Sequence, residues 1–412
     1  MKPVWDVIVI GGGASGMMAA LTAAENGKRV LILEKNKHLG EKLKITGGGR
    51  CNITNANFNT RDFLKIYGKA EPYLHSPFSK FSAKDTFAFF ESRGLPLVVQ
   101  ARNRAFPKTE KATDVCALLT KAIQKAGVTV MTNAPVKKIL HADSLITGVL
   151  TAQGEFNATS YILATGGQSH PETGSTGDGF KWLRDLGHSI KDPTPTIVPL
   201  AVDEEWIKSL AGVSLSFMKI SFFLEGKRQF SKKGKILFTH FGLSGPLILN
   251  SATQVSELLQ SGWVRAEIDA YPDTDHGTLE KHILKVFDAN KNKMLKSVFK
   301  EITPEGTSHA IMTLLPEINF ETKVHSVSKE DRKKIMHLLK ALPVTVTNLM
   351  GFDRAVVADG GVTLDEIDTK TMQSKILKNM FVTGDLLHIN RPSGGYSLQL
   401  CWTTGYVAGI SA

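Results

Sequence analysis

Three glycines spaced G-x-G-x-x-G, at Gly11, Gly13 and Gly16, are the first residues in the chain whose types and spacing could do chemistry. The first allows a tight turn. The second lets backbone approach a pyrophosphate at the positive end of a helix, and the third lets that helix pack close to the preceding strand. Glu34, about 20 residues further on, can accept hydrogen bonds from a ribose hydroxyl. Together they describe a dinucleotide cradle. The elements around them suit the task. Val4–Ile10 reads as a short apolar strand, Met17–Asn26 as a small-residue helix stopped by Gly27, and Val30–Leu33 as a second strand ending at Glu34.

The chain of 412 residues is longer than one typical domain, so two or three are expected. Its 42% apolar and 22% charged residues place it among folded globular proteins. No apolar run approaches the ~20 residues of a membrane span, and the N-terminus enters a strand at once, so neither a membrane anchor nor a signal peptide is expected. Cys51, Cys116 and Cys401 cannot make a disulfide framework, which suggests a reducing, cytoplasmic setting. The net charge of +11 is uneven: residues 1–150 hold 22 Lys and Arg against 11 Asp and Glu, and the remainder is balanced. Such an excess suits a polyanion such as RNA. Cofactor phosphates and solvated lysines are the alternative.

Along the chain, residues 38–55 form a loop carrying Gly40 and Gly47–Gly49. Ser82 to Gly94 reads as a helix with a Ser82/Asp85 capping box, and Thr113–Ala126 as another helix. Short strands are expected at Val128–Met131, Val136–Leu140, Ile146–Leu150, Gly154–Ala158 and Tyr161–Gly167. The prolines of DPTPTIVP mark a domain boundary near residue 195. Residues 196–275 read as an antiparallel barrel or sandwich to which 342–350 returns, and 276–341 as a helical segment whose last helix opens with a Ser328/Asp331 capping box. From about residue 351 the glycine-rich texture of the first third resumes, so both ends are expected to build one domain with the middle inserted.

Two further segments point to FAD rather than NAD. Ala164-Thr165-Gly166, at the end of YILATGG, resembles the strand-end signature of glutathione-reductase-type flavoproteins. Lys378 to Asp385 (KNMFVTGD) resembles their second signature, in which the acid binds the ribityl chain. No second G-x-G-x-x-G marks a separate NAD(P)H domain. The segments TGGGRCNITN (46–55), RAFPKTEKATDV (104–115), GGQSHPETGSTGDGF (166–180), THFGLSGP (239–246), ADGGVTLDEIDTKTMQSK (358–375) and SGGYSLQLCWTTGYVAG (393–409) extend the likeness over nearly the whole chain. It resembles the YhiN/BaiN/RdsA-like bacterial FAD-dependent oxidoreductases. It departs from them at Asp385, at His388 and at Ser397, where the group usually has Glu, Asp and Asn.

The resemblance implies an α/β fold: a discontinuous Rossmann-like FAD-binding domain of the glutathione-reductase type, with an inserted antiparallel β-domain and a helical bridging segment. It implies non-covalent FAD held by Gly11, Gly13, Ala14, Ser15, Gly16, Glu34, Lys35, Lys42, Gly48, Gly49, Arg50, Val136, Thr165, Gly166, Gly167, Gly384, Asp385, Gly394, Gly395, Tyr396 and Ser397. The chemistry implied is hydride transfer at the flavin. Cys51 is then either an acid that protonates carbon or a small residue packed under its loop. His240 and His388 are each either acid/base groups or loop-structuring hydrogen bonders. No metal-ligand spacing appears among the remaining histidines. Members of the group reduce uracils in ribosomal RNA or act on small molecules as C=C reductases or amine oxidases, with NAD(P)H as a transient reductant. The charge excess favours ribosomal RNA as partner. A small-molecule enzyme and a non-enzymatic, FAD-stabilised ribosome-interaction protein are the alternatives.

Overall fold

The computed structural model describes residues 5–412. They divide into two compact units, one of residues up to 195 together with 355–412, and one of 196–354. The first unit is built on a seven-stranded sheet. Its order is Ile367–Asp368, Gln373–Ser374, Met380–Val382, Ala158–Leu163, Trp5–Ile10, Val30–Leu33 and Thr129–Met131. The last five strands are parallel. Parallel strands covered on both faces need continuous apolar runs, and every residue of Val30–Leu33 is buried.

The first helix begins at Ala14, three residues before the sequence pattern suggested, because helical backbone starts as soon as Gly13 ends. It is buried nearly all round, since the C-terminal helix Tyr396–Ser411 lies against it. Small residues permit this approach. A Cβ on Gly405 would stand 2.4 Å from the Ser15 carbonyl oxygen, and one on Gly409 would stand 2.5 Å from that of Ala19. The capping box at Ser82 and Asp85 is formed, and its helix stops before a left-handed Gly94. The prolines of DPTPTIVP fall where the first unit ends, at Pro195. Pro193 and Pro195 lie in the strand Ile190–Ile197, which among the described residues pairs only with Val357–Val362, an edge setting that tolerates the missing N–H groups.

His188, wholly buried, ties three segments of this unit together. Its Nδ1 lies 2.8 Å from Glu366 Oε2 and its Nε2 lies 2.9 Å from Ser374 Oγ. That hydroxyl already accepts from the N–H groups of Ile376 and Leu377, so it donates to Nε2 and the imidazole is neutral. Burial lowers the His188 pKa, outweighing the Glu366 carboxylate that would raise it. A base whose pKa is lowered by folding takes up its proton in the unfolded chain first. Stability is therefore full above the ordinary imidazole value, about 6.5, and is lost as pH falls through the lowered one. The melting temperature is expected to drop in mildly acid buffer, and His188→Gln to flatten that drop. Identical pH profiles for the two proteins would refute the assignment.

The second unit is a closed barrel in the order Leu200–Val202, Gly242–Ser244, Lys227–Thr239, Ser214–Leu224, Val264–Asp269 and Leu342–Leu349. The helices His276–Ala289 and Lys329–Lys340 share its core: Leu279, Ile283, Ile335 and Leu339 belong to the same buried cluster as Ile220, Phe222 and Ile268. Residues 276–341 are thus not a separate body. Ser328 caps the second of these helices by accepting from Asp331 N–H at 3.0 Å.

Candidate functional site

The glycine turn has the geometry its spacing demanded. A Cβ on Gly16 would fall 1.9 Å from the Gly11 carbonyl oxygen, and one on Gly11 would fall 2.5 Å from that of Ala164. Gly13 differs. A Cβ there would meet nothing within 4 Å, so its missing side chain leaves open space. Gly13 caps the first helix with no side-chain hydrogen bond, and no acid occupies the first turn at Ala14 and Ser15. The helix's first N–H groups are free for an anion.

Glu34 is buried at the end of the second strand. Its Oε2 accepts from Gly12 N–H and its Oε1 from Asn36 N–H, each at 2.7 Å. Each oxygen keeps a further lone pair for a ribose hydroxyl. Lys35 turns instead to the glycine-rich segment 166–180, where its Nζ donates to Thr176 Oγ1 (2.6 Å) and pairs with Asp178 (2.8 Å). Val136 lies between the edge strand and the small sheet that starts at Lys138, half-buried against the core.

The strand Ala158–Leu163 ends at Ala164. Thr165 Oγ1 is buried there without a hydrogen-bond partner, Gly166 is left-handed, and a Cβ on Gly167 would stand 3.4 Å from Asp385 Cβ. The two strand-end signatures thus converge. At Gly384 a Cβ would come 2.7 Å from Ser15 Oγ, which carries the convergence to the first helix.

Asp385 is not a lone acceptor. Lys42 Nζ stands 3.2 Å from its Oδ2 and also donates to Ser169 Oγ at 2.6 Å. Arg391 Nη1 binds its Oδ1, while Arg391 Nε and Nη2 donate to the carbonyls of Ile389 and Leu387, each at 2.9 Å. Burial alone would raise the Asp385 carboxyl. The charges of Arg391 and Lys42 outweigh it and hold the carboxyl below its ordinary value. Arg391 is 1% exposed and was missed from the sequence. The available signal was a lone cation in an apolar stretch just after Gly-Asp.

A second cluster surrounds the N-terminus of the C-terminal helix, whose cap is the left-handed Gly395 and carries no side-chain bond. A Cβ on Gly395 would lie 2.3 Å from the Thr54 carbonyl carbon. Asn55 Nδ2 donates to the Gly394 carbonyl at 3.2 Å, and the Asn52 side-chain oxygen accepts from Gly395 N–H at 3.0 Å. Inside the helix, Gln399 Oε1 accepts from Thr54 Oγ1 (2.6 Å) and Thr86 Oγ1 (2.8 Å), all wholly buried. Tyr396 is held by Tyr67, whose hydroxyl donates to its carbonyl at 2.9 Å, with Ser397 next to it in the first turn.

Backbone strain collects beside this end. Gly47, Gly48 and Gly49 are left-handed, and so are the non-glycine residues Cys51, Arg102, Asn103 and Glu110. Cβ atoms on Gly48 and Gly49 would meet nothing within 4 Å. Such strain persists where the surroundings enforce it, and it gathers at functional sites. Arg50 lies over Phe106 with its guanidinium carbon 4.5 Å from the ring centre, and pairs with Glu110 at 3.3 Å.

The catalytic candidates separate. Cys51 has no exposed surface, and burial pushes its thiol up to about 12 despite the Thr46 hydroxyl, so it stays protonated. His388 is half-buried in the Asp385 loop. Its Nδ1 is buried without a hydrogen-bond partner, and burial, then Lys191 and Arg391, lower its pKa. Near neutral pH it is an imidazole with an open acceptor rather than an acid. His240 belongs to the second unit, exposed at the turn after Thr239, its ring 4.9 Å from that of Phe241.

The groups present fit FAD: open space at Gly13, an uncapped first helix, a buried acid at the second strand's end, the orphaned Thr165 hydroxyl, and a second uncapped helix at Gly395. Among the described residues no cluster of His, Cys, Asp and Glu could hold a metal, and no helix is long and apolar enough to cross a membrane. A parallel dinucleotide-binding sheet assembled from both ends of the chain, with a barrel between them, is the architecture of an FAD-dependent oxidoreductase. The chain belongs to the family described as HI0933-like protein Rossmann domain, which matches residues 5–411.

Two full-length relatives are named for different substrates. The 3-dehydro-bile acid delta(4,6)-reductase of Clostridium scindens is 28% identical over 98% of both chains. The ribosomal RNA dihydrouridine synthase of Haemophilus influenzae is 25% identical over 100% of this chain and 99% of its own. The solved structure of 3-ketosteroid delta1-dehydrogenase from Sterolibacterium denitrificans shares the fold, with a TM-score of 0.55 at 14% identity over 99% of each chain.

Proposed function

We propose that the protein saturates a carbon–carbon double bond conjugated to a carbonyl, that the bond is the C5=C6 bond of a uracil in ribosomal RNA, and that NAD(P)H is the reductant. The observation that carries this reading is the basic, strained hairpin beside the C-terminal helix. Arg104 lies in the three-stranded sheet, Arg102 in its hairpin turn, and Arg50, Lys108 and Lys111 in the segments next to its strands, where Glu110 offers an ion-pair partner to Arg50. Two full-length relatives named ribosomal RNA dihydrouridine synthase support it.

FAD, when bound, supplies the hydride. The chain's residues hold the cofactor and the base. The uncapped first helix receives the pyrophosphate and Glu34 the adenosine ribose. The first-turn N–H groups of the helix Tyr396–Ser411, beyond the Gly395 N–H that Asn52 engages, offer positive potential to a developing oxyanion. Arg50 and its neighbours hold phosphates while one base is drawn out of its stack into the glycine-lined space at Gly48 and Gly49. Reduction adds a hydride at C6 and a proton at C5, and NAD(P)H is oxidised in balance. Cys51, which keeps its proton, is the side chain to test as proton donor.

Two measurements test the proposal. Retention on ribosomal RNA is expected to fall with salt at a log–log slope of roughly −3 to −4, about 0.7 for each of these phosphate contacts. Anaerobic reduction by NADH or NADPH should then let the protein add two hydrogens to a uridine, read by mass spectrometry of the RNA. Salt-independent retention with no mass gain would sink the RNA reading. Turnover of a free enone under the same conditions would favour the second reading, a small-molecule reductase, which the bile-acid relative supports.

A further inference from the structure

The barrel carries a feature that its own folding does not require. Strands Ser214–Leu224 and Lys227–Thr239 form a long ribbon in which Leu215 faces Ile236 and Met218 faces Gly234. Between those pairs Ser216 and Phe217 oppose Lys235 alone, a two-for-one bulge that re-aims a side chain. Phe217 has a left-handed φ of +61° and is 79% exposed. Left-handed backbone is costly for a bulky residue, and a solvated aromatic ring returns nothing to the fold. Met218 and Ile220 point into the core, which turns Lys219 outward, opposite Lys233. Lys233 pairs with Asp273. No carboxylate lies within ion-pair distance of Lys219 or Lys235 among the described residues.

We infer that this bulge is a docking site for single-stranded RNA, with one unstacked base on the Phe217 ring and flanking phosphates on Lys219 and Lys235. The inference rests on the RNA reading above and adds a surface on the second unit to it. The chemistry matches how unpaired RNA is held: an aromatic platform offers a π-face to any base, and neighbouring cations follow the backbone. RNA supplies both at once, a base for the ring and phosphates for the two lysines that have no ion-pair partner among the described residues, which an apolar protein surface would not.

The test uses full-length protein with bound FAD and a labelled single-stranded oligoribonucleotide, alongside the same sequence as a duplex. Phe217→Asn removes the ring and tolerates the left-handed backbone, so the ribbon stays folded. It is expected to weaken single-strand binding roughly tenfold, the worth of one stacked base, and to leave duplex binding unchanged. Lys219→Gln with Lys235→Gln should flatten the salt slope by about 1.4, ~0.7 for each lost phosphate contact. Trp263→Ala removes the other strongly exposed aromatic of this unit, at 85%, near the far end of the ribbon where Leu224 pairs with Val264, and should change nothing. Wild-type binding that Phe217→Asn leaves intact, or that Trp263→Ala weakens equally, would overturn this site while leaving the RNA reading standing. A wild-type protein that binds no RNA would remove that reading and this inference together.

Discussion

Arg391→Ala is expected to cost the folded protein about 3–5 kcal/mol, the range for stripping one partner from a buried ion pair, and to release FAD. Three donor directions of the guanidinium are committed, to Asp385 and to the carbonyls of Ile389 and Leu387, so the change frees the Asp385 loop as well as its charge. Lys42 remains, but its ammonium is partly solvated and already shared with Ser169. The pH dependence carries a sign. The Asp385 carboxyl lies below its ordinary value in the folded protein, so its contribution is present above about 3.9, the unfolded value, and is lost as pH falls through the lowered one. Without Arg391 one of the two charges that hold the carboxyl down is gone, and the carboxyl moves up from its wild-type position. Cofactor release should then begin in milder acid than in the wild type. Thermal melts and flavin fluorescence, followed from neutral to acid buffer, read both effects. Arg391→Lys keeps a charge but cannot reproduce the planar fork, so only partial recovery is expected. An Arg391→Ala protein that melts and retains flavin like the wild type would show that the pair holds nothing in place.

How much of this was legible in the chain depends on the range of the interaction. The first strand, turn and helix were readable because Gly11 and Gly16 answer to contacts within the motif or one strand away. The capping boxes at Ser82 and Ser328 were readable because partner and cap sit three residues apart. The proline run falls where the first unit ends, at Pro195, but that Pro193 and Pro195 also sit in a strand was not legible, because only sheet order decides whether a strand is an edge. The partners of Asp385 were invisible for the same reason. Lys42 comes from the other end of the sequence, and nothing local shows that the apolar stretch around Arg391 is buried. Lys35 illustrates the converse. It was expected among the FAD-holding residues, and Asp178, far along the chain, engages its ammonium. Residues whose role is set by backbone shape were found, and those set by a distant charge were not.

Gly13→Val is expected to leave the apoprotein as stable as the wild type to within about 1 kcal/mol, the usual spread between residues at a helix cap, while weakening FAD binding by about a hundredfold or more. The argument rests on a contrast among three glycines of one motif. Gly11 and Gly16 are glycine because protein backbone stands where a side chain would be, at 2.5 Å and 1.9 Å. Alanine at either should destabilise the apoprotein, by several kcal/mol where backbone must move. Gly13 has extended backbone, φ −78° and ψ −171°, which any residue adopts, and no protein atom within 4 Å of its would-be Cβ. Nothing in the folded chain needs glycine there. The need arises only if a ligand fills that space, and a pyrophosphate at the uncapped first helix is the group whose approach a side chain would block. A hundredfold loss corresponds to about 2.7 kcal/mol, a modest figure for displacing phosphate oxygens from several N–H groups. Apoprotein melts and FAD titration separate the two quantities. If Gly13→Val melts early like Gly16→Ala, the open space has been misread. If it binds FAD as tightly as the wild type, the cofactor does not lie across this turn, and the roles given to Glu34 and the first helix fall with it.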